Sequence, residues 1–158
     1  MKIQYILRPL LCVFLCLLIG GGSGFLTMDS INTWYTTLNK PFFTPPNWIF
    51  GPVWTILYTI MGISAGLVWN NSCNKKTKNK ALGVFTAHML LNGLWSILFF
   101  GFMNPELAFI EILLLLGSIL YYSKLFHAIY PLTAWMQVPY ITWVTFATLL
   151  NGSIAWLN

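Results

Sequence analysis

His88, Asn92, Trp95, Ser96 and Phe99 recur at helical spacing, which sets them on one face of a helix. Trp54 and Tyr58 repeat that spacing on a second apolar stretch, and Tyr140, Trp143, Ala147 and Asn151 do so on a third. Aromatic rings with polar tips, amides and a hydroxyl are binding chemistry: the rings stack on a flat, largely apolar ligand, and the few polar groups orient it. Acid–base or nucleophilic catalysis is not written in the same way. The sequence has no Ser/His/Asp set, no H-E-x-x-H, no P-loop and no C-x-x-C, so no catalytic residue and no metal ligand is assigned and no cofactor is required.

A plainer reading stands beside this one. Buried Asn, Ser and His often do no more than hydrogen-bond across helices in a membrane bundle, for about 0.6 kcal/mol. His88 is read that way, because no second ligand lies at metal spacing and it sits deeper than the aromatic cluster. For Trp54, Trp95 and Trp143 the plain alternative is an interfacial belt, yet each lies several residues inside its stretch. Glu111 is the only carboxylate well within an apolar stretch. An acid there either serves function or bonds a neighbouring helix or water. Glu106 falls where a helix N-terminus favours negative charge and needs no further role.

The elements that must carry these residues follow from composition. Of 158 residues, 58% are hydrophobic and 7% charged. A soluble domain has about 25% charged residues, so most of this surface cannot face water. The apolar residues come in long blocks and not in the period-two alternation of a membrane barrel, and in lipid only helices satisfy a backbone within such blocks. The expected fold is an all-α membrane protein, a five-transmembrane-helix bundle forming one domain over 1–158. The helices are expected at about 6–28, 48–69, 80–103, 105–126 and 133–157, each near the roughly 20 residues a span needs. An aromatic, Pro-rich loop joins the first two, from Asp29 to Asn47, and Asn70 to Asn79 reads as a polar hairpin. Gly20 and Gly24, and Gly62 and Gly66, meet the G-x-x-x-G spacing that lets helices approach closely, within the bundle or between two copies.

Five crossings put Lys2, Arg8, Lys75, Lys76, Lys78, Lys80 and Lys124 on one side and Lys40 alone on the other. The positive-inside rule then makes the N-terminus cytoplasmic and places the C-terminus and the Pro/Trp loop outside. The charge bias suits an inner membrane, and an outer one stays open as the alternative. The net charge of +5 gathers in one short lysine run, which is no platform for nucleic acid. The three cysteines form neither a disulfide framework nor a zinc site. At these depths Trp54, Tyr58, Asn92 to Phe99, and Tyr140 to Asn151 share the outer half of the bilayer, beneath the Pro/Trp loop: a pocket with a lid.

The residues that carry this pattern resemble a known family. Trp34-Tyr35, Leu38, Lys40-Pro41, Thr44-Pro45-Pro46, Phe50, Val53-Trp54 and Tyr58 look like the signature of the TspO/MBR family, the tryptophan-rich sensory proteins related to the mitochondrial translocator protein or peripheral benzodiazepine receptor. The likeness continues through Leu91-Asn92, Trp95-Ser96, Phe99-Phe100-Gly101, Pro105 and Leu107-Ala108 to Pro139-Tyr140, Trp143, Phe146-Ala147, Leu150-Asn151 and Leu157-Asn158. It implies a five-helix bundle, often a homodimer in a lipid bilayer, that binds protoporphyrin IX or haem, and in some members sterols and benzodiazepine-type drugs. Such a protein would sense, transport or help dispose of porphyrins under oxidative stress. The alternatives are a light-dependent porphyrin-degrading enzyme, an activity reported for some bacterial members, and a sterol- or lipid-binding regulatory scaffold. Carried over motif by motif, the ligand-binding residues are Tyr35, Pro45, Trp54, Tyr58, Asn92, Ser96, Phe99, Trp143 and Ala147, to which the helical face adds Trp95. Two positions depart from the family pattern. Phe43 stands where a Trp is usual, and the last helix lacks the Tyr and basic residue of a cholesterol motif, itself a weak pattern.

Overall fold

The computed structural model describes residues 3–158; Lys2, assigned above to the basic side, lies outside them. Five long helices dominate. They are α1 (Gln4–Leu26), α4 (Asn47–Asn70), α5 (Lys75–Ser96, continuing as a π-helical turn over Ile97–Gly101), α6 (Pro105–Ile129) and α8 (Val138–Leu157). Three short helices fill the connections: α2 (Met28–Asn32), α3 (Trp34–Thr37) and α7 (Pro131–Trp135). No strand occurs among the described residues.

Several expected boundaries move, each for a local reason. Lys75 to Asn79 is helix, not hairpin, and only Asn71 to Asn74 connects α4 to α5. The Asn74 side chain caps α5 by accepting from the Lys76 amide at 2.8 Å, and lysines are good helix formers once a cap is in place. The stretch from Asp29 to Asn47 is not simply a loop, since it holds α2 and α3. The last block is divided: Pro131 opens α7, and Pro139, which cannot sit deep in a helix but suits its first turn, opens α8. At α6 the Asn104 side chain accepts from the Leu107 amide at 2.9 Å, just ahead of the Pro105 start.

Burial is inverted relative to a water-soluble protein. Leu7, Leu10, Phe14 and Leu18 on α1 and Leu113, Leu114 and Leu120 on α6 are exposed. The polar residues Ser64, His88, Asn92, Thr133, Gln137 and Asn151 are buried. That arrangement fits a hydrocarbon solvent, where apolar surface costs nothing and each polar group must find a partner inside. Partners are present. Tyr122 Oη donates to Gln137 Oε1 at 2.7 Å, Gln137 Nε2 to the Thr133 carbonyl at 2.9 Å, and Ser64 Oγ to the same carbonyl at 3.0 Å. Four helices are long and apolar enough to cross a membrane: α1, α4, α5 with its π turn, and α6. The chain is an integral membrane protein of helical build.

The α1–α4 seam is the closest in the molecule. A methyl on Gly62 would stand 2.4 Å from Val13 Cα, and one on Gly66 would stand 2.3 Å from Pro9 Cα. The Gly62/Gly66 pair therefore serves packing within one chain. Where α1 begins, Arg8 Nη1 reaches the Asn70 side chain at 3.3 Å and the Trp69 carbonyl at 3.4 Å, and its guanidinium lies over the Trp69 ring. An arginine there meets the unpaired carbonyls that end α4.

Candidate ligand-binding site

At the other end of the seam α1 and α4 part around a cavity of about 370 Å³. Its walls come from four of the five long helices (α1, α4, α5 with its π turn, and α8), with α2 and α3. α4 contributes Asn47, Phe50, Gly51, Trp54, Thr55 and Tyr58; the α5 end contributes Trp95, Ser96, Phe99 and Phe100; α8 contributes Trp143, Ala147, Leu150, Asn151 and Ile154. Tyr35 on α3 and Ile31 on α2 lie at its lid, and Gly20, Gly21, Gly24 and Thr27 line the α1 side. α6 supports this wall from behind, where Pro105 accepts a hydrogen bond from Asn151 Nδ2 at 2.8 Å.

The aromatic walls are layered. Trp54 stacks on Tyr58 with ring centroids 5.3 Å apart, and Trp95 stacks on Phe99 at 5.2 Å. Trp34 and Tyr35 meet Phe99 edge to face, and Phe50 meets Trp143 the same way at 5.9 Å. Trp95 Nε1 donates to Asn151 Oδ1 at 3.1 Å, which fixes the indole plane. Trp143 Nε1, also buried, has no acceptor among the described residues. Burial raises the phenol pKa of Tyr35 in the lid, and Lys40 Nζ sits 4.4 Å from that ring's centroid.

The cavity opens on one side. Gly21, Gly51 and Thr55 line it and are also exposed, so the gap between α1 and α4 opens to the outside of the bundle. A side chain at Gly21, Gly24 or Gly51 would meet nothing within 4 Å, whereas one at Gly20 would enter the Tyr58 ring. The Gly20/Gly24 pair is thus split: Gly20 makes room for Tyr58, and Gly24 leaves a helix wall low.

Of the residues singled out in the sequence, Tyr35, Trp54, Tyr58, Trp95, Ser96, Phe99, Trp143 and Ala147 line this cavity together. Pro45 and Asn92 do not. Pro45 lies in the turn ahead of α4, while Tyr35 and Phe50 are the groups that reach inward from that region. Asn92 lies beneath the floor with its amide committed: its Oδ1 accepts from Tyr58 Oη and its Nδ2 donates to Tyr140 Oη at 2.7 Å. Asn47, Phe50, Gly51 and the α1 glycines were missed as lining. The aromatic i, i+4 pairs mark helix faces, but nothing local marks a glycine as a gap. Glu111 is buried on α6 with neither carboxylate oxygen bonded among the described residues, and it does not line the cavity. Phe43 sits edge-on to Phe146, which in turn touches Trp143. Among the described residues no three His, Cys, Asp or Glu side chains gather where a metal could bind.

The sequence profile of the TspO/MBR family matches residues 12–157, which includes every wall of this cavity. The chain belongs to the TspO/MBR family. It is 40% identical over 154 residues to the tryptophan-rich protein TspO of Archaeoglobus fulgidus, covering 97% of this chain and 98% of that one. Human translocator protein is 35% identical over 131 residues, covering 82% of this chain and 77% of its own. The tryptophan-rich sensory protein of Cereibacter sphaeroides is 33% identical over 128 residues, covering 79% and 77%. In this TspO/MBR chain the matched stretch carries eight aromatic residues to the cavity walls, among them Tyr35, Trp54, Trp95 and Trp143.

Proposed function

We propose that this protein binds a flat tetrapyrrole, of which protoporphyrin IX is the representative, inside the aromatic cavity, as part of sensing, transporting or disposing of porphyrins. The observation that carries the reading is the cavity itself: stacked indole and phenyl walls, few polar groups, and a side opening to the outside of the bundle. A planar apolar ring system partitions into the bilayer and stacks on such walls without a large desolvation cost. Among the described residues the cavity lining holds no His, Cys or Met side chain, and the Tyr58 hydroxyl is spent on Asn92, while Tyr35 offers a phenol. Free-base protoporphyrin IX would be held by stacking, and haem could take the Tyr35 phenol as an axial ligand.

The same proposal includes a fifth crossing by α8 and the homodimer that the family likeness implies. α8 is 20 residues long but rich in Thr, Asn and Ser. Thr142, Thr145, Thr148 and Ser153 each donate to the carbonyl four residues earlier, at 2.7–2.9 Å, which hides their hydroxyls from hydrocarbon. With five crossings, Arg8 and the Lys75–Lys80 run share the cytoplasmic end. A reporter fused after Asn158 that is active only outside the cytoplasm checks this orientation, and cross-linking in the native membrane checks the dimer.

Titrating purified protein with protoporphyrin IX while following Trp fluorescence tests the binding reading. Saturable quenching that weakens in Trp54→Ala and Trp143→Ala is expected. Quenching that never saturates, or is unchanged in both variants, overturns it.

A further inference from the structure

Beneath the cavity floor runs a chain of hydrogen bonds whose direction can be deduced. Ser118 Oγ lies 2.6 Å from the Leu115 carbonyl, which can only accept, so the serine proton is spent there. His88 Nδ1, 2.7 Å from the same Oγ, must then be the protonated ring nitrogen. That leaves His88 Nε2 as an acceptor facing Tyr140 Oη at 3.1 Å, so the Tyr140 phenol donates to it. Tyr140 Oη in turn accepts from Asn92 Nδ2, and Asn92 Oδ1 accepts from Tyr58. A buried phenol donating to a free imidazole nitrogen within about 3.2 Å has the geometry of proton transfer.

This pair communicates with the cavity through Trp54. Its ring is stacked on Tyr58 and lies edge to face on Tyr140, with centroids 6.1 Å apart. We propose that Tyr140 and His88 form a redox pair that returns one electron to an oxidised Trp54, the Tyr140 phenol proton passing to His88 Nε2.

The oxidant is an electronically excited aromatic macrocycle in the cavity, and to that extent the inference rests on the proposed function. The excited ligand takes one electron from Trp54, giving a ligand radical anion and a Trp54 radical cation. Tyr140 then gives one electron to Trp54 and one proton to His88, leaving a neutral Tyr140 radical and a His88 imidazolium. One positive charge moves and no new charge is buried. Return of the electron from the ligand anion to Tyr140, with the proton coming back from His88, restores the start.

Proton bookkeeping selects Tyr140 over Tyr58, although Tyr58 is the nearer ring. The Tyr58 proton points at an amide oxygen, which is too weak a base to hold it. The Tyr140 proton points at an imidazole nitrogen, the commonest general base in proteins. His88→Gln separates the two roles, because a glutamine can keep a hydrogen bond to Tyr140 but cannot take its proton.

The test needs no ligand in its first arm. An ultraviolet flash ionises tryptophan in the detergent-purified protein, and transient absorption with electron paramagnetic resonance follows the radical. The expected result is decay of the Trp signal into a tyrosyl signal. That signal should be lost in Tyr140→Phe, retained in Tyr58→Phe and reduced in Trp54→Phe. In His88→Gln its formation should slow by about a hundredfold, the scale of a lost general base. Unaltered protein in heavy water should show the same step slowed, which keeps the test informative if a variant fails to fold. A tyrosyl signal that survives Tyr140→Phe, a rate unchanged in His88→Gln, or no solvent isotope effect overturns the pair. The second arm adds protoporphyrin IX and visible light. Absence of porphyrin binding with an intact flash signal defeats the ligand reading alone; binding without a Tyr140 radical in either arm defeats the pair alone.

Discussion

Asn39 and Asn158 clasp one another reciprocally: the Asn39 amide donates to Asn158 Oδ1 at 2.9 Å, and Asn158 Nδ2 donates to the Asn39 carbonyl at 3.0 Å. Residues 119 apart in sequence thus pair as two strands would, tying the segment after α3 to the end of α8. Tyr35, at the cavity lid, lies four residues before this clasp.

Breaking the clasp should loosen the lid without unfolding the bundle. Asn158→Ala removes both exposed hydrogen bonds, worth about 0.5–1.5 kcal/mol each. Faster release of bound protoporphyrin IX in stopped-flow fluorescence, with a melting temperature lowered by only a few degrees (about 2–4 °C per kcal/mol), is the expected outcome.

The α1–α4 seam should tolerate no added methyl. Gly62→Ala would push a carbon against the Val13 backbone, which cannot swing aside as a side-chain tip can. A loss of about 1–3 kcal/mol is expected, read as a lower melting temperature in detergent. Gly83→Ala is the control: nothing lies within 4 Å of its added carbon, and alanine favours a helix by up to about 1 kcal/mol.

Filling the side opening should cost affinity but not stability. Gly51→Leu adds an isobutyl group at the cavity's side opening, where its Cβ meets nothing within 4 Å. Binding of protoporphyrin IX should weaken about tenfold, equivalent to about 1.4 kcal/mol, while the melting temperature holds.

Asn151 joins two walls, accepting from Trp95 Nε1 and donating to the Pro105 carbonyl. Asn151→Leu leaves a donor and an acceptor unpaired in a largely apolar setting, a cost of about 1–3 kcal/mol. Both melting temperature and porphyrin affinity should fall, because the Trp95 indole loses the bond that orients it. Asn151→Asp, which keeps an acceptor for Trp95, should recover part of the affinity.

Much of this was legible from the residues alone. Block length and the scarcity of charge place the chain in a membrane as helices, because hydrocarbon leaves the backbone no other partner. Trp54 with Tyr58, and Trp95, Ser96 with Phe99, are set on shared faces by the helical repeat itself. Eight of the ten expected site residues line one cavity: seven lie on such helical faces, and Tyr35 came from the family resemblance. Local chemistry also marks Asn104-Pro105 as a helix start. The π turn after Ser96 carries no comparable local signal.

Tertiary packing decided the rest. Whether Asn92 faces a ligand or lies below the floor depends on which partners reach its amide, and those come from residues 34 and 48 positions away. His88 acquires a defined proton position only because Ser118 and Leu115, on another helix, use up the neighbouring donor. The glycines are the sharpest case: Gly20, Gly24 and Gly62 share one motif in sequence, yet one seats a ring, one borders an opening and one meets a backbone. A glycine specifies only that a side chain is absent, and what fills or leaves that space is set by the helix opposite.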